Sequence, residues 1–470
     1  MANRENSQRL LDKANSYREQ LSIPVHDIYV ESLFKKAAQI TSTTVSKEKV
    51  RAFKDEKIDR ILTSRLWGFP VMIGLFTLVI WLTITGANYP SSMLATLLID
   101  DAYPLLRDWT STWPWWLSGV LIDGMYLATA WVISVMLPPM AIFFPLFTLL
   151  EDLGYLPRVA FNLDGLFKKA GAHGKQSLSM MMGFGCNAAG VISTRIIDSP
   201  RERLIAIITN NFSLCNGRWP TIIILSSLFV GALAPAWFAG FATALSVVGI
   251  ALFGVFLTFL ASWMLNKTVL KGETSTFSLE LPPYRSPRIL RTLYTSFIDR
   301  TIFVLWRAIV FALPAGAVIW LSSNIMIGDL SLAVHMINLL DPIGWFIGLN
   351  GVILVAYIVA IPANEIVVPT ILMFTVLSTN IIGVGSGAGI MFEPDEIGTI
   401  SEVLNAGGWT LLTAVSVMFF SLMHNPCSTT IYTIYKETKS IKWTTLASLL
   451  PIGFGIIFLL VLAFIWRLVV

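Results

Sequence analysis

Long apolar runs separated by short polar and basic connections fill the chain beyond position 66. A helix needs about 20 apolar residues to cross a hydrocarbon core of roughly 30 Å, and 67–86 is the first run of that length. Runs at 118–137 and 138–150 meet at Pro138 and Pro139, where two missing backbone donors predict a kink or a break between two helices. Further runs lie at 176–192, 211–233 and 237–265, then at 302–322, 343–360, 367–377, 409–422 and 443–466. Ahead of them all, Ile28, Val30, Leu33, Phe34 and Ala37 recur at helical spacing, so the opening segment reads as short amphipathic helices. Between 86 and 118, Trp109, Trp113, Trp115 and Trp116 gather around Pro114, as tryptophans do at a membrane interface.

The connections sort by charge. Arg60 and Arg65 flank the first run, Arg158, Lys168, Lys169 and Lys175 follow the third, and Lys436, Lys439 and Lys442 precede the last. Such positions face the cytoplasm. The segments 323–342 and 380–408 have no Lys or Arg, and the second carries Glu393, Asp395, Glu396 and Glu402, which fits the outside. The pattern divides the chain into a cytosolic lead-in (1–66), a first membrane half (67–265), a basic cytosolic linker (266–300) and a second membrane half (301–470).

Composition agrees. Of the residues, 55% are apolar and 13% charged, with a mean hydropathy of +0.70; soluble domains carry about 25% charged residues, so an ordinary cytosolic enzyme is excluded. The first 66 residues hold 22 of the 62 charged side chains. The net charge of +4 is scattered among connections rather than gathered in one stripe, so nucleic acid is not an expected partner. Residues 1–21 are too polar for a signal peptide. The expected class is an all-α, polytopic helical bundle embedded in the lipid bilayer of the inner or plasma membrane, with a cytoplasmic N-terminus.

Several apolar runs are broken by residues that membrane helices avoid, and such breaks in corresponding places of two halves point to a transport site. The first is Gly183-Phe184-Gly185-Cys186-Asn187, where poor helix formers predict a broken or re-entrant helix with a thiol at its tip. Close helix packing by small residues explains the same composition equally well. The second is His424-Asn425-Pro426-Cys427, again a thiol at a proline break, although a lone Cys and His are more often packed than metal-bound. Cys215 lies in a third polar stretch with Asn210, Asn211, Asn216 and Arg218. No Cys-rich framework surrounds these three cysteines, so a structural disulfide is not expected. Glu365, between Pro362 and Pro369, must face a cavity, a cation or a hydrogen-bonding partner, because an intramembrane acid costs about 2.5–3.5 kcal/mol. Glu151 and Asp152 either join such a path or rest at the cytoplasmic interface. Thiolate, imidazole and carboxylate together suit Fe²⁺ or Zn²⁺ better than Mg²⁺ or Ca²⁺.

No engine is legible. Gly174-Lys175-Gln176 lacks the Ser or Thr that ends a phosphate loop, Asn266-Lys267-Thr268-Val269 lacks the Asp of a guanine-reading signature, and no catalytic motif is present. Neither a nucleotide site, a bound cofactor nor an enzymatic activity is expected.

These segments resemble a known family. Leu149 to Tyr155, His173-Gly174-Lys175, Met182 to Asn187, Thr194-Arg195, Ser199 to Leu204 and Cys215 to Pro220 are similar in order and spacing to the membrane domain of the ferrous iron transporter B (FeoB) family. Asn364 to Val368 and Pro426-Cys427 resemble its second half, and Lys57 to Leu62 the segment before its first span. The resemblance, over roughly 28–470, implies two repeated Gate halves, inward transport of Fe²⁺ or a similar divalent ion, and a metal path through Cys186, Cys215 and Cys427, with Glu151, Glu365 and His424 as contributors and Gly183, Gly185, Asn187, Asn425 and Pro426 shaping the gate backbone. Family members carry a G-protein domain ahead of this region; the resemblance therefore implies a split or G-domain-less member working with a separately encoded small GTPase, a small cytosolic accessory protein and, as a further expectation, other copies of itself. Two departures stand out: Ala188-Ala189 replace Val-Pro, and Asn364 replaces a Lys. Rival readings are a carrier of nucleosides or other organic solutes, held by Asn187, Asn216 and Glu365, and a non-transporting membrane assembly subunit docked through 1–66.

Overall fold

The long apolar runs become largely helix, because lipid offers backbone N–H and C=O groups no partner but the chain itself. The computed structural model describes residues 13, 25–44, 57–64, 66–172, 174–272, 284, 288–379, 381, 390–392, 394 and 397–469. His173, Glu393, Asp395, Glu396, much of the 1–66 lead-in and residues 273–283 and 285–287 of the linker lie outside these. Among the described residues, six helices are long and apolar enough to cross a membrane, or seven with one bent pair. The chain is a multi-pass, all-α membrane protein.

After α1 (Val25–Thr44), α2 (Gly68–Ala95) runs on through a π-helical turn into Tyr103–Trp109. The segment expected to form an interfacial connection after 86 is thus mostly helix, and the chain turns only at Pro114, with Trp109 and Trp115 exposed. The next helix enters through a π-helical segment, Gly119–Tyr126, and continues as α3 (Leu127–Asp152). It passes Pro138, Pro139 and Pro145 as one continuous helix, so the two runs expected to kink or separate there do not separate. Pro138 and Pro145 are buried with Phe143, Phe144 and Phe147; tight packing holds the helix while the few freed carbonyls cost less than a loop would at this depth.

A polar helix, α4 (Tyr155–Lys169), leads to α5 (Gln176–Gly185) and α6 (Asn187–Ser193), then to α7 (Pro200–Thr209) and α8 (Trp219–Leu225), and α9 (Ala236–Lys267) closes the first half. The second half repeats this order with one helix added. A π-helical segment, Ser296–Ile302, opens into α10 (Phe303–Asn324), followed by α11 (Leu332–Phe346), α12 (Gly351–Val359), α13 (Val367–Thr379), α14 (Ile397–Ala406), α15 (Leu411–Met423), α16 (Ser428–Thr438) and α17 (Ile441–Val469). Helices α11 and α12 meet at 111°, so the single span expected at 343–360 is instead a sharp bend at 347–350.

Tyr155 and Leu332, which start the 15-residue helices α4 and α11, are 177 positions apart. Gly171 and Gly348, each at positive φ (75° and 72°) just beyond those helices, keep the same spacing. Helices α3 and α10 run antiparallel: a Cβ on Gly124 would lie 2.8 Å from the Gly316 carbonyl oxygen, and Thr301 Oγ1 donates to the Met140 carbonyl at 3.4 Å. Thr301 is the 177-shifted partner of Gly124, and Met140 sits beside the partner of Gly316, so the two contacts are images of each other under an inverted two-fold.

Ion pairs lock one polar face. Arg195 Nε and Arg203 Nη2, from the first half, reach Glu437 Oε2 at the end of α16 at 3.0 and 2.8 Å. Arg158 grips Asp59 with Nε at 3.0 Å and Nη2 at 3.2 Å, and Tyr284 OH donates to the same carboxylate at 2.6 Å. Burial pushes the Asp59 carboxyl upward, but hydrogen bonds from Arg158 and Tyr284 and the Arg158 charge outweigh it and hold it below its ordinary value.

Candidate functional site

Two helices in the first half are broken in the membrane body. Between α5 and α6 the single residue Cys186 is extended (φ −152°, ψ 122°), so the helix stops and restarts around its thiol. Gly185 lies flat against Phe143, whose Cζ is 2.8 Å from the position a Cβ would take. The Asn187 amide, oriented by its hydrogen-bond network, donates to Gly183 O at 3.0 Å and Ser213 O at 3.2 Å, tying the first break to the second. That second break runs from Ser213 to Cys215 in extended backbone before a short 3₁₀ turn, Asn216–Arg218, leads into α8.

The second half carries the matching pair. Ala363 (φ −149°, ψ 114°) stands 177 positions after Cys186 with nearly the same backbone, followed by Asn364 where the first half has Asn187. His424 to Cys427 separate α15 from α16 as Ser213 to Cys215 separate α7 from α8. The fold therefore pairs Cys186 with Ala363 and Cys215 with Cys427, whereas sequence reading paired Cys186 with Cys427. Ser428 N donates to Ile361 O at 3.0 Å, joining the two breaks of this half.

All three thiols come into one region. Cys186 and Cys215 are buried and Cys427 is half-buried, and each lies within electrostatic reach of another of the three. Cys427 Sγ is 3.3 Å from Thr430 Oγ1, and Cys215 faces the Asn364 amide. Glu365 enters the same space beside Cys215: its Cδ is 2.6 Å from where a Cβ on Gly217 would lie, so a side chain at 217 would have to shift the carboxylate.

Arg218 organises this region, and sequence reading assigned it no role. Buried to 3% exposure, it donates through Nη1 to Asn211 O (3.2 Å) and Leu422 O (3.0 Å), and through Nη2 to His424 O (3.0 Å) and Asn425 O (3.1 Å). One guanidinium thus satisfies carbonyls freed at one break of each half. Its signal in the sequence was a cation inside an apolar run, which needs a partner as surely as an acid does.

The remaining expected residues separate into two groups. His424 is buried, but its ring packs on Tyr357 and Phe420, with centroids 4.8 and 5.5 Å away, and its carbonyl rather than its imidazole joins Arg218. Asn425 and Pro426 shape the break, with Asn425 Nδ2 donating to Pro426 O at 3.4 Å. Glu151 stands exposed at the end of α3, about two turns beyond Phe143 and Phe144, which face the first break. Among the described residues, no group of three or more His, Cys, Asp and Glu side chains stands close enough to hold a metal ion.

The family model described as "Gate: Nucleoside recognition" matches residues 133–229 and 305–441. The model described as "Ferrous iron transport protein B C terminus" matches 247–299. Similar curated proteins include the Fe(2+) transporter FeoB of Staphylococcus aureus (strain MSSA476), 28% identical over 472 residues, covering 96% of this chain and 66% of that protein. The Fe(2+) transporter FeoB of Campylobacter jejuni is 26% identical, covering 94% of this chain and 72% of that one. A Fe(2+) transport protein A/Fe(2+) transporter FeoB fusion protein of Porphyromonas gingivalis is 30% identical over 243 residues, 49% of this chain and 26% of the fusion. The chain thus spans just under two thirds of the length of the Staphylococcus relative. No solved structure matches. Both family models fall on the repeated, broken-helix body described above, and over nearly its full length the chain is similar to proteins named Fe(2+) transporter FeoB.

Proposed function

We propose that this chain moves Fe²⁺ inward across a cell's inner membrane, with its N-terminus in the cytoplasm, through the space between its two halves. The observation that carries the reading is that all three of its cysteines stand at breaks in membrane helices, within electrostatic reach of one another. Thiols are soft donors suited to a borderline ion, and a conducting path must offer few ligands at a time so that the ion can leave. Glu365 beside Cys215 adds a carboxylate to that path. The relatives' names support iron as cargo, and the fusion protein's name supports a small accessory protein of the A type as partner. A separately encoded GTPase is the remaining part of the proposal and would regulate the flux.

Anaerobic Fe²⁺ uptake into vesicles containing the purified chain tests it, beside Cys186→Ser. Saturable uptake that is lost in the variant, while the variant still inserts and stays folded, is the expected result. Full uptake by Cys186→Ser would remove the thiol path, and uptake of a nucleoside with none of Fe²⁺ would replace iron as cargo. Adding a GTPase and an accessory protein to the same vesicles measures what each contributes.

A further inference from the structure

Glu437 stands in the last turn of α16, in the second half, and both of its arginine partners come from the first. Its side chain is 5% exposed. Arg195 Nε and Nη2 donate to its two oxygens at 3.0 and 2.5 Å, and Arg203 Nη2 donates to Oε2 at 2.8 Å. Arg195 lies in the 3₁₀ turn Thr194–Ile196 that follows α6, and Arg203 lies in α7. These elements lead to the thiols: α6 starts after Cys186, α7 precedes the break at Ser213 to Cys215, and α16 starts after Cys427. Since α16 has 11 residues, the ion pair stands about 16 Å from Cys427 along the helix.

The fold does not require charge at such a contact. Under the spacing of 177 the counterpart of Arg195 is Leu372, and under the spacing that pairs Cys215 with Cys427 the counterpart of Glu437 is Leu225. Leu225 and Leu372 line one small apolar cavity, so where the two-fold image of the ion pair falls, the halves meet through apolar side chains. An apolar contact holds by excluding water. The Arg195 and Arg203 side chains are instead 59% and 32% exposed, and an ion pair open to water on one side yields to a competing charge.

A competing cation is in place. Arg307, on α10 of the second half, donates through Nη1 to Thr433 Oγ1 at 3.4 Å and lies 5.9 Å from the centroid of the Tyr432 ring. Among the described residues it holds no ion pair. Thr433 precedes Glu437 by four residues, and such neighbours lie about 5–6 Å apart on one face of a helix. Glu437 thus has two arginines across the gap between the halves and a third one turn away on its own side.

We infer that Glu437 is a switched latch between the halves. Held by Arg195 and Arg203, it closes the lysine-rich face of the passage, the cytoplasmic face in the orientation proposed above. When the halves part there, the carboxylate passes to Arg307, so opening exchanges one ion pair for another rather than stranding a charge. The inference rests on the reading that the passage runs between the halves, and it names the residues that close one end.

Thiol labelling of the purified full chain, free of iron, tests the latch: the rate at which a hydrophilic maleimide modifies Cys427 reports release of α16. Arg195→Gln/Arg203→Gln frees the carboxylate for Arg307 and should raise that rate about tenfold. Glu437→Gln should raise it less, and adding Arg307→Gln should lower the double variant to the Glu437→Gln rate while leaving Glu437→Gln itself unchanged. If the double variant does not fold, Arg203→Gln alone carries the comparison. An unchanged Cys427 rate in Glu437→Gln, or a rate in the arginine variants that ignores Arg307→Gln, would reduce the contact to a fixed strut and overturn the switch. Because the labelling needs no iron, an absence of Fe²⁺ uptake would remove the proposed cargo and leave this result standing.

Discussion

The guanidinium of Arg218, from the first half of the chain, donates to the carbonyl oxygen of His424 in the second at 3.0 Å. With three further carbonyls on the same side chain, this is a direct link between breaks of the two halves. Arg218→Ala leaves four buried acceptors without a donor, at about 1–3 kcal/mol each. We expect at least about 3 kcal/mol of destabilisation, read as a large fall in the Tm of the detergent-purified protein, with Arg218→Lys between the two because an ammonium cannot span four carbonyls in a fork. An unchanged Tm in Arg218→Ala would show that the breaks hold themselves.

The thiols differ in access. Cys427 is half-buried while Cys186 and Cys215 are 8% exposed, and alkylation follows access to the thiolate. Maleimide labelling of the folded protein, located by mass spectrometry, should modify Cys427 first, roughly tenfold faster than the other two. Equal rates at all three would contradict the described packing.

Gly217 has a narrower role than Cys215, two residues before it. A methyl group there must displace the Glu365 carboxylate. Gly217→Ala is expected to lower Fe²⁺ uptake about as much as Glu365→Gln does, with a modest loss of stability, because both withdraw the same carboxylate from the path. A normal uptake rate in Gly217→Ala with Glu365→Gln inactive would separate the two residues.

Asp59, Arg158 and Tyr284 tie the lead-in and the linker to α4. The folded carboxyl titrates below its ordinary value of 3.8, so its contribution is complete above that pH and is lost as pH falls through the still lower folded value. Hydrogen exchange at residues 57–62 should be slow and flat from pH 7 to about 5 once corrected for intrinsic rates, then rise below about pH 4. In Asp59→Asn the acid-induced rise should be gone; its persistence would assign the effect to another group.

Much of this architecture was legible. Apolar runs located most spans, because nothing else in a soluble chain produces them, and the Gly-Phe-Gly-Cys-Asn and His-Asn-Pro-Cys stretches marked real breaks. What hydropathy could not convey was direction. The run at 343–360 reads as one span, yet Gly348 at positive φ turns it through 111°, and Pro138-Pro139 reads as a kink or a break between two helices, yet α3 runs past it unbroken among packed phenylalanines. The pairing of the breaks was hidden for a related reason. Cys186 answers to Ala363, a residue with no chemistry to attract notice, and only the shared backbone angles reveal the match. His424 misled in the opposite way, drawing attention for an imidazole whose neighbours are aromatic rings while its carbonyl does the linking.

The inverted relation between the halves sets a limit on how alike the two ends of the passage can be. In a perfectly two-fold molecule, exchanging the conformations of the halves would return the same landscape seen from the opposite side of the bilayer, and a cargo would meet identical chemistry whichever way it travelled. Here Cys215 and Cys427 stand at matching breaks with similar backbone angles, but the sulfur of Cys186 has only the methyl of Ala363 as its counterpart. The odd sulfur makes the two halves chemically unequal at this break: one carries a soft donor where the other carries a methyl group.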